Sequence, residues 1–280
     1  ALRTYVMGER AFTDEATPAD LEGMIRELRA GMHAGAMGFT TSRSINHQTS
    51  DDRPVASRLA TWDEVAALVH VAGEHGGIFE ITNEEKAQGT PEEQAEYFGR
   101  MEKLALGSKA TFMFGVGSWR QKPEGWRSMT GVIDRVNQAG GRFYAQVHSR
   151  RFDVILCFAG QLPFDRLPLW SKLRAKPLAE QKQALRDAAY VAKLVDEAHH
   201  GPYGNAIGAE ARKPDFDWIF LMDDPMGPHR CLGELARQQG KDPVVLMIEL
   251  ALASDLQQIF LQAVANEDPK NVLELMNHPR

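Results

Sequence analysis

The sequence contains few of the residues and patterns that define several classes of protein. Only two cysteines occur in 280 residues, Cys157 and Cys231, and neither has the CxxC or Cys/His spacing of a structural zinc site. Two isolated cysteines also argue against a disulfide framework and suit a reducing compartment. Because no signal-peptide pattern opens the sequence, we expect a cytoplasmic protein.

Long apolar runs and basic clusters are missing as well. The longest apolar stretch near the C-terminus, 244–253, is interrupted by Glu249 and is far shorter than the roughly 20 residues that span a bilayer. The net charge is −6, and no run of lysine and arginine exceeds two residues. We therefore expect no membrane and no nucleic acid among the partners; the expected partner is a small-molecule substrate.

The common catalytic signatures are absent too. The sequence has no GxSxG elbow, no GxxxxGK[ST] loop, no HExxH helix and no GxGxxG after a strand. Esterase, P-loop and nicotinamide-dependent chemistry therefore lack their usual signals. With 43% hydrophobic and 25% charged residues, the chain has the composition of a globular protein of one or two domains.

A repeated unit of helix followed by strand fills residues 17–151. Helix starts such as Thr17-Pro18 combine an N-capping hydroxyl with proline at the first helical position. Thr61 and Glu64 have the spacing of a capping box. Short apolar strands follow the helices and centre on Thr40, Glu80, Met113 and Ala145. Units of this length predict parallel strands with right-handed crossovers, as in a barrel or a doubly wound sheet.

The stretch 140–151, GGRFYAQVHSRR, is the most informative of these strands. A double glycine ends a helix, and the apolar run that follows finishes in Gln146, His148 and Arg150. This pattern is typical of an inner strand of a β/α barrel, whose C-terminal end faces the reaction. A strand of another α/β sheet that ends in a solvated loop has the same pattern.

The pattern is less regular at both ends of the chain. Residues 4–6 predict a short extended start. After Arg151, an apolar segment with two prolines predicts a lid-like or capping excursion, which we place at 152–217 and which contains a long helix over about 178–198. A strand is expected over 218–224. Apolar residues at helical spacing in 256–263 predict a helix, and Asp268-Pro269 starts another.

The strand ends supply the candidate site residues. His148 could bind a metal or transfer a proton, or it could be structural. Arg43 and Arg150 could bind a substrate carboxylate or form surface ion pairs. Glu80 is costly to bury unpaired, so it is a candidate site carboxylate unless the strand turns it outward. Asp223 could supply a base or a ligand, although its Asp-Asp-Pro sequence favours a turn.

Several segments resemble the N-acyl-D-amino-acid deacylase branch of the amidohydrolase superfamily. The likeness is carried by 2–8, 34–42, 144–150 and 277–279; it covers nearly the whole chain and is most specific in GAMGFTTS, residues 35–42. It implies a metal-dependent (β/α) barrel that hydrolyses a linear amide bond, most simply that of N-acyl-D-amino acids. In such enzymes zinc activates a water molecule, and an aspartate from the last barrel strand transfers the proton.

The metal ligands of that family have no counterparts in this sequence. No HxH pair occurs, the expected cysteine ligand is absent, and the two histidines expected on middle strands fall near Thr82 and Gly115. The aspartate would lie beyond Arg280. The resemblance therefore implies that residues 1–280 form the central part of a longer enzyme, in the α/β class, as a partial TIM-like (β/α) barrel without its first and last strands. Zinc is expected in the full-length protein and not in these residues.

What remains is the substrate side of the cleft. The expected substrate-binding residues are Ser42, Arg43, Gln146, His148 and Arg150. Weak metal-ligand candidates are Glu80, His148 and Asp223, and no residue is assigned as catalytic. The missing histidines also favour an alternative, a non-catalytic binding or scaffold protein derived from the same barrel family. Exposed strand edges of a partial barrel further predict that the chain either forms a homo-oligomer through them or packs against segments outside residues 1–280.

Overall fold

The computed structural model describes residues 1–51, 53–204 and 211–280. They form two compact units, each described by itself below. The first unit contains Ala1–Arg150 and Asp268–Arg280, and the second contains Arg151–Glu267. The predicted excursion, 152–217, lies within the second unit, apart from 205–210, which are outside the described residues.

The chain forms eight strands and eleven α-helices within the described ranges. The strands are β1 (Gly38–Ser42), β2 (Ile78–Thr82), β3 (Thr111–Gly115), β4 (Arg142–Gln146), β5 (Phe152–Leu156), β6 (Ile219–Leu221), β7 (Arg230–Cys231) and β8 (Phe260–Ala265). The helices are α1 (Leu2–Met7), α2 (Pro18–His33), α3 (Trp62–Glu74), α4 (Pro91–Ser108), α5 (Trp126–Gln138), α6 (Pro168–Arg174), α7 (Leu178–Ala184), α8 (Ala188–His200), α9 (Leu232–Gln239), α10 (Pro243–Ala253) and α11 (Pro269–Met276).

The predicted helix starts of the first unit are confirmed. The Thr17 hydroxyl accepts a hydrogen bond from the Asp20 amide at 3.2 Å, and Pro18 occupies the first helical position of α2. Thr61 accepts from the Glu64 amide in the same way. The Glu64 carboxylate does not complete a capping box, because it forms a buried ion pair with Arg3 of α1.

The four strands of the first unit form one parallel sheet in the order β1-β2-β3-β4. One face packs against the helices through a row of phenylalanines that crosses every strand. Their ring centroids are 5.8, 5.0 and 5.4 Å apart along the row, which consists of Phe39, Phe79, Phe112 and Phe143. Because side chains alternate along a strand, the opposite face carries the next row, Thr40, Glu80, Met113 and Tyr144.

The second unit contains a separate, antiparallel sheet in the order β5-β8-β6-β7. Its core joins one face of this sheet to α6, α8, α9 and α10. Trp170 of α6 is buried there, stacks on Phe164 with centroids 4.6 Å apart, and donates its indole N–H to the Leu194 carbonyl at 2.9 Å. The strand expected at 218–224 is therefore the shorter β6, and its neighbours run in the opposite direction.

Three local predictions are wrong. Residues 4–6 belong to helix α1, because burial of Arg3 against Glu64 outweighs the β-preference of Thr4 and Val6. The helix expected over 178–198 is two helices, since the Asp187 carboxylate caps a new start by accepting from the Ala189 amide at 2.9 Å.

The third error is the helix expected at 256–263, where the structure has strand β8. Its residues Phe260–Ala263 are buried, as befits a strand between β5 and β6, and a short apolar run does not distinguish the two structures. Asp255 and Leu256 have φ of 57° and 66°, left-handed values that end the preceding helix. The helix predicted at Asp268-Pro269 is confirmed as α11.

The chain is thus a mixed α/β protein with a parallel sheet, as expected from the βα spacing. Residues 1–51, 53–204 and 211–280 do not form a closed barrel, so the partial barrel stays a prediction. No helix within these ranges is long and apolar enough to cross a membrane.

Candidate functional site

The carboxyl ends of the four parallel strands form one polar row. The register pairs Ser42 with Thr82 and Gly115 with Gln146, and these four positions share the sheet face opposite the phenylalanine row. Neighbouring strands lie about 4.8 Å apart. Two of the predicted substrate-binding residues, Ser42 and Gln146, therefore end the outer strands of one sheet, with Thr82 and Gly115 between them.

Arg43, the next predicted residue, is engaged by the loop that follows β2. Its Nε donates to Glu84 at 2.7 Å, and its guanidinium lies 5.4 Å from the centroid of Trp62. A second hydrogen bond joins the loop after β1 to the loop after β2, because the Ile45 amide donates to the Glu85 carboxylate at 2.9 Å. The buried Nη1 of Arg43 has no hydrogen-bond partner among the described residues. Of the two roles that the sequence left open for Arg43, the structure shows an ion pair, and this pair with Glu84 is largely buried.

His148 and Arg150 lie in the loop after β4, and both are exposed. They belong to the first unit and follow Gln146, so they lie beyond the same end of the sheet as the polar row. Their assignment to a substrate stays a prediction.

A hydrogen-bonded network behind the polar row was not anticipated from the sequence. The Asn83 side chain donates to the Gly115 carbonyl at 2.9 Å and accepts from the Tyr97 hydroxyl at 3.2 Å. Burial raises the pKa of the Tyr97 phenol well above its usual value, and the charge of Glu84 acts in the same direction. Tyr97 therefore stays a neutral donor, which fixes the ends of β2 and β3 relative to each other.

A second unanticipated contact anchors the loop after β3. Asn271 of α11 donates to the buried Ser118 hydroxyl at 3.0 Å and to the Pro123 carbonyl at 3.1 Å. These residues are about 150 positions apart in sequence, so no local pattern signals the contact.

The three weak metal-ligand candidates are divided between the two units. Asp223 belongs to the second unit and is ion-paired with Arg230 at 2.7 Å. Its neighbour Asp224 accepts from the Met226 amide at 2.8 Å, as in the turn that the sequence favoured. Glu80 lies half-exposed on the open sheet face, and His148 lies in the loop after β4.

The donor set therefore does not fit a zinc ion. No group of three His, Cys, Asp or Glu side chains suited to a metal occurs in 1–51, 53–204 and 211–280. The positions where the resemblance placed two histidines hold a threonine and a glycine, and neither supplies the nitrogen, sulfur or carboxylate ligand that zinc prefers.

No family model matches the chain, and no curated protein matches it. The chain is similar to the crystal structure of N-acyl-D-glutamate deacylase from Bordetella bronchiseptica, determined with zinc and a phosphonate inhibitor. The identity is 15% and the TM-score 0.48, over 99% of this chain and 44% of that one.

Two D-aminoacylase structures are also similar to the chain. One crystal structure has 12% identity and a TM-score of 0.46 over 99% of this chain and 44% of that one. A D-aminoacylase variant in complex with copper chloride also has 12% identity and a TM-score of 0.46, over 98% and 43%. The chain spans less than half the length of these structures.

Proposed function

We propose that the chain is part of an amidohydrolase that cleaves the linear amide bond of N-acyl-D-amino acids, and that its first unit supplies part of the substrate-binding surface. The observation that carries the proposal is the polar row at the carboxyl ends of β1 to β4. It has the orientation in which parallel β/α proteins present reacting groups. The sequence resemblance supplies the reaction class.

The residues at this end of the sheet suit an acylated amino acid. The Ser42 hydroxyl and the Gln146 amide end strands that are three strand spacings apart, so they can donate to different polar groups of the ligand, and Arg150 can hold the carboxylate. Arg43 is held at this end of the sheet by its ion pair with Glu84. Because the described donor set does not fit a metal, these residues bind and orient, and we derive no bond-breaking step from them.

Binding of N-acetyl-D-amino acids to the 280-residue chain, measured by calorimetry, tests the proposal. Arg150→Gln and Gln146→Leu are expected to weaken binding about tenfold or more, because each removes a hydrogen bond to a polar or charged ligand group. Arg142→Gln is the matched control, since Arg142 lies at the other end of the same strand. Equal affinity for the D and L enantiomers would contradict the assignment of the substrate. An equal loss of affinity in Arg142→Gln would contradict the assignment of Arg150 and Gln146 to substrate binding.

Hydrolysis is tested in a longer protein that contains these residues. Deacylation is expected to disappear with a chelator and to return with zinc, and a metal-free protein with full activity would refute the proposal. The alternative, a non-catalytic binding protein, is favoured by Thr82 and Gly115 at the expected ligand positions. It predicts ligand binding without metal-dependent hydrolysis.

A further inference from the structure

Two histidines contact each other at the end of the parallel sheet opposite the polar row. His33 lies in the last turn of α2, which precedes β1, and His75 directly follows the last residue of α3, which precedes β2. Their ring centroids are 4.8 Å apart, and the ring planes are nearly perpendicular, at 89°. Because both residues come shortly before neighbouring strands, the pair lies at the amino ends of β1 and β2. It is therefore separate from the candidate substrate site.

Both imidazole rings are available to a ligand. Each residue is exposed, and neither ring forms a hydrogen bond or an ion pair with the residues that the structure describes. The charged groups beside them are already paired, since Arg29, one turn before His33, donates to the Glu74 carboxylate at 3.0 Å. The pair thus presents ring nitrogens without a competing protein partner among the described residues.

The position of the two histidines is set by the packing of α2 against α3. Met32, next to His33, is buried in the core that joins these helices, together with Val71, one turn before His75. Side chains on packed helices are positioned more precisely than side chains on loops. The pair also lies where two helices end, and the negative end of each helix dipole favours a cation there.

The ring separation matches that of two imidazoles bound to one metal ion. With metal–nitrogen bonds of about 2.1 Å and angles between square-planar and tetrahedral values, two ring centroids lie roughly 4.5–5.3 Å apart. The torsion that turns each exposed ring is broad, so both rings can aim a nitrogen at a common point. No third His, Cys, Asp or Glu side chain of the described residues is placed to join them, which leaves the other positions of the ion to water.

We propose that His33 and His75 bind a divalent late transition-metal ion as a chelate that joins α2 to α3. Imidazole suits copper(II), nickel(II) and zinc(II), and the general order of affinity places copper(II) above the other two. An ion bound to the folded chain and not to the unfolded one stabilises the first unit. The proposal does not depend on the proposed function, because the pair lies at the other end of the sheet from the polar row.

Calorimetric titration of the 280-residue chain with copper(II), nickel(II) and zinc(II) chloride tests the inference. A single site of highest affinity is expected, with one ion per chain and copper(II) bound most tightly. His33→Ala and His75→Ala should each weaken binding by about a hundredfold, because a single imidazole loses the gain from chelation. The double variant should weaken binding little further, since either substitution alone already destroys the chelate.

His70→Ala is the matched control. His70 is also an exposed histidine of α3, but it lies outside the pair, so its removal should leave the affinity unchanged. Electron paramagnetic resonance of the copper(II) complex should show two nitrogen ligands in the native chain and in the control, and one in His33→Ala or His75→Ala. The ion should also raise the urea midpoint of the native chain and not that of His33→Ala.

Three results would overturn the inference. An affinity that is unchanged in both single variants, or that falls equally in His70→Ala, would show that the ion binds elsewhere or adventitiously. One ion bound per two chains would indicate a bridge between copies and not a chelate within one chain. An absence of saturable binding at millimolar metal would leave the two histidines as a ring contact alone.

Discussion

Gly38 opens strand β1 at a position where no other residue fits. A Cβ at this position would lie 1.9 Å from the carbonyl oxygen of Ile78 on the neighbouring strand. Gly38→Ala must therefore displace the backbone, and we expect it to lower the free energy of unfolding by about 3 kcal/mol or more. Gly115→Ala, whose Cβ would meet nothing within 4 Å, should change it by at most about 0.5 kcal/mol. Urea denaturation measures the free energy of unfolding of both variants. Equal values would contradict the close approach of Gly38 to the Ile78 carbonyl.

The buried ion pair between Arg3 and Glu64 makes a second prediction at this scale. Both side chains are about 5% exposed, so Arg3→Met leaves the carboxylate buried without its partner and should cost about 3–5 kcal/mol of unfolding free energy. The double variant Arg3→Met/Glu64→Leu should recover part of this loss, because it removes the orphaned charge. A double-mutant cycle by urea denaturation measures the coupling, and strictly additive effects would refute it.

The hydrogen bonds of Glu64 and Asn271 show which contacts can be predicted from the sequence alone. The spacing of Thr61 and Glu64 predicted the helix start correctly, since the cap depends on neighbours in the chain. It did not predict the partner of the Glu64 carboxylate, which is 61 residues away. Asn271 and Ser118 are further apart still. Local spacing reports local hydrogen bonds, whereas such pairings depend on the folded arrangement.

At the scale of elements, the start of helix α2 carries a pH-dependent contribution to stability. The Asp20 carboxylate accepts from the Arg10 guanidinium at 2.8 Å and from the Thr17 hydroxyl and amide. The Arg10 guanidinium, followed by the Thr17 donors, holds the pKa of Asp20 well below its usual value. A lowered folded-state pKa stabilises the protein above the unfolded-state value, near 3.9, and this contribution is lost as the pH falls below it.

Asp20→Asn should therefore destabilise the protein at pH 7 and reduce the loss of stability on acidification. Urea denaturation at several pH values between about 7 and 3 measures both effects. At the lowest pH the difference between the two proteins should be smaller, because the Asp20 carboxylate of the unfolded state is then protonated and part of the ionic contribution is lost. If the unfolding free energies of the native protein and of Asp20→Asn differ by the same amount at every pH, the ionic role of Asp20 is contradicted.

The ends of β2 and β3 allow a direct test of the missing metal ligands. Thr82 is exposed, Gly115 has open space at its Cβ, and the register places them on adjacent strands and on the same face. The double variant Thr82→His/Gly115→His should gain zinc binding, since imidazole is a preferred zinc ligand. Calorimetry with zinc compares it with both single variants. Equal binding by all three would show that these strand ends do not converge as the register indicates.

The elements of the first unit were easier to predict than those of the second. Strands β2 and β3 are buried on one face and follow the capped helices α3 and α4, so hydrophobic period and cap residues point to the same structure. Strand β8 is buried through Phe260–Ala263, and the apolar residues of 256–263 also fit the spacing of a helix. Its strand state depends on pairing with β5 and β6, which the local sequence does not encode.

For the whole molecule, exposed strand edges remain the basis for the predicted homo-oligomer. β5 is an edge strand of the second sheet, and its Ile155 side chain is 64% exposed. An edge strand offers unpaired backbone groups to another chain. A two-fold axis would pair β5 of two copies antiparallel, as in the rest of this sheet. The other edge, β7, has only two residues and is a poorer surface for pairing.

We therefore expect a concentration-dependent dimer that Ile155→Lys weakens, because a charged residue on an edge strand opposes pairing between copies. Leu273→Lys is the control for lost surface hydrophobicity, since Leu273 is 61% exposed but lies on helix α11. Light scattering after size exclusion, over a hundredfold range of protein concentration, measures the mass of each protein. If the native chain stays monomeric throughout, or if both variants dissociate equally, pairing through β5 is excluded and the two-fold assembly with it.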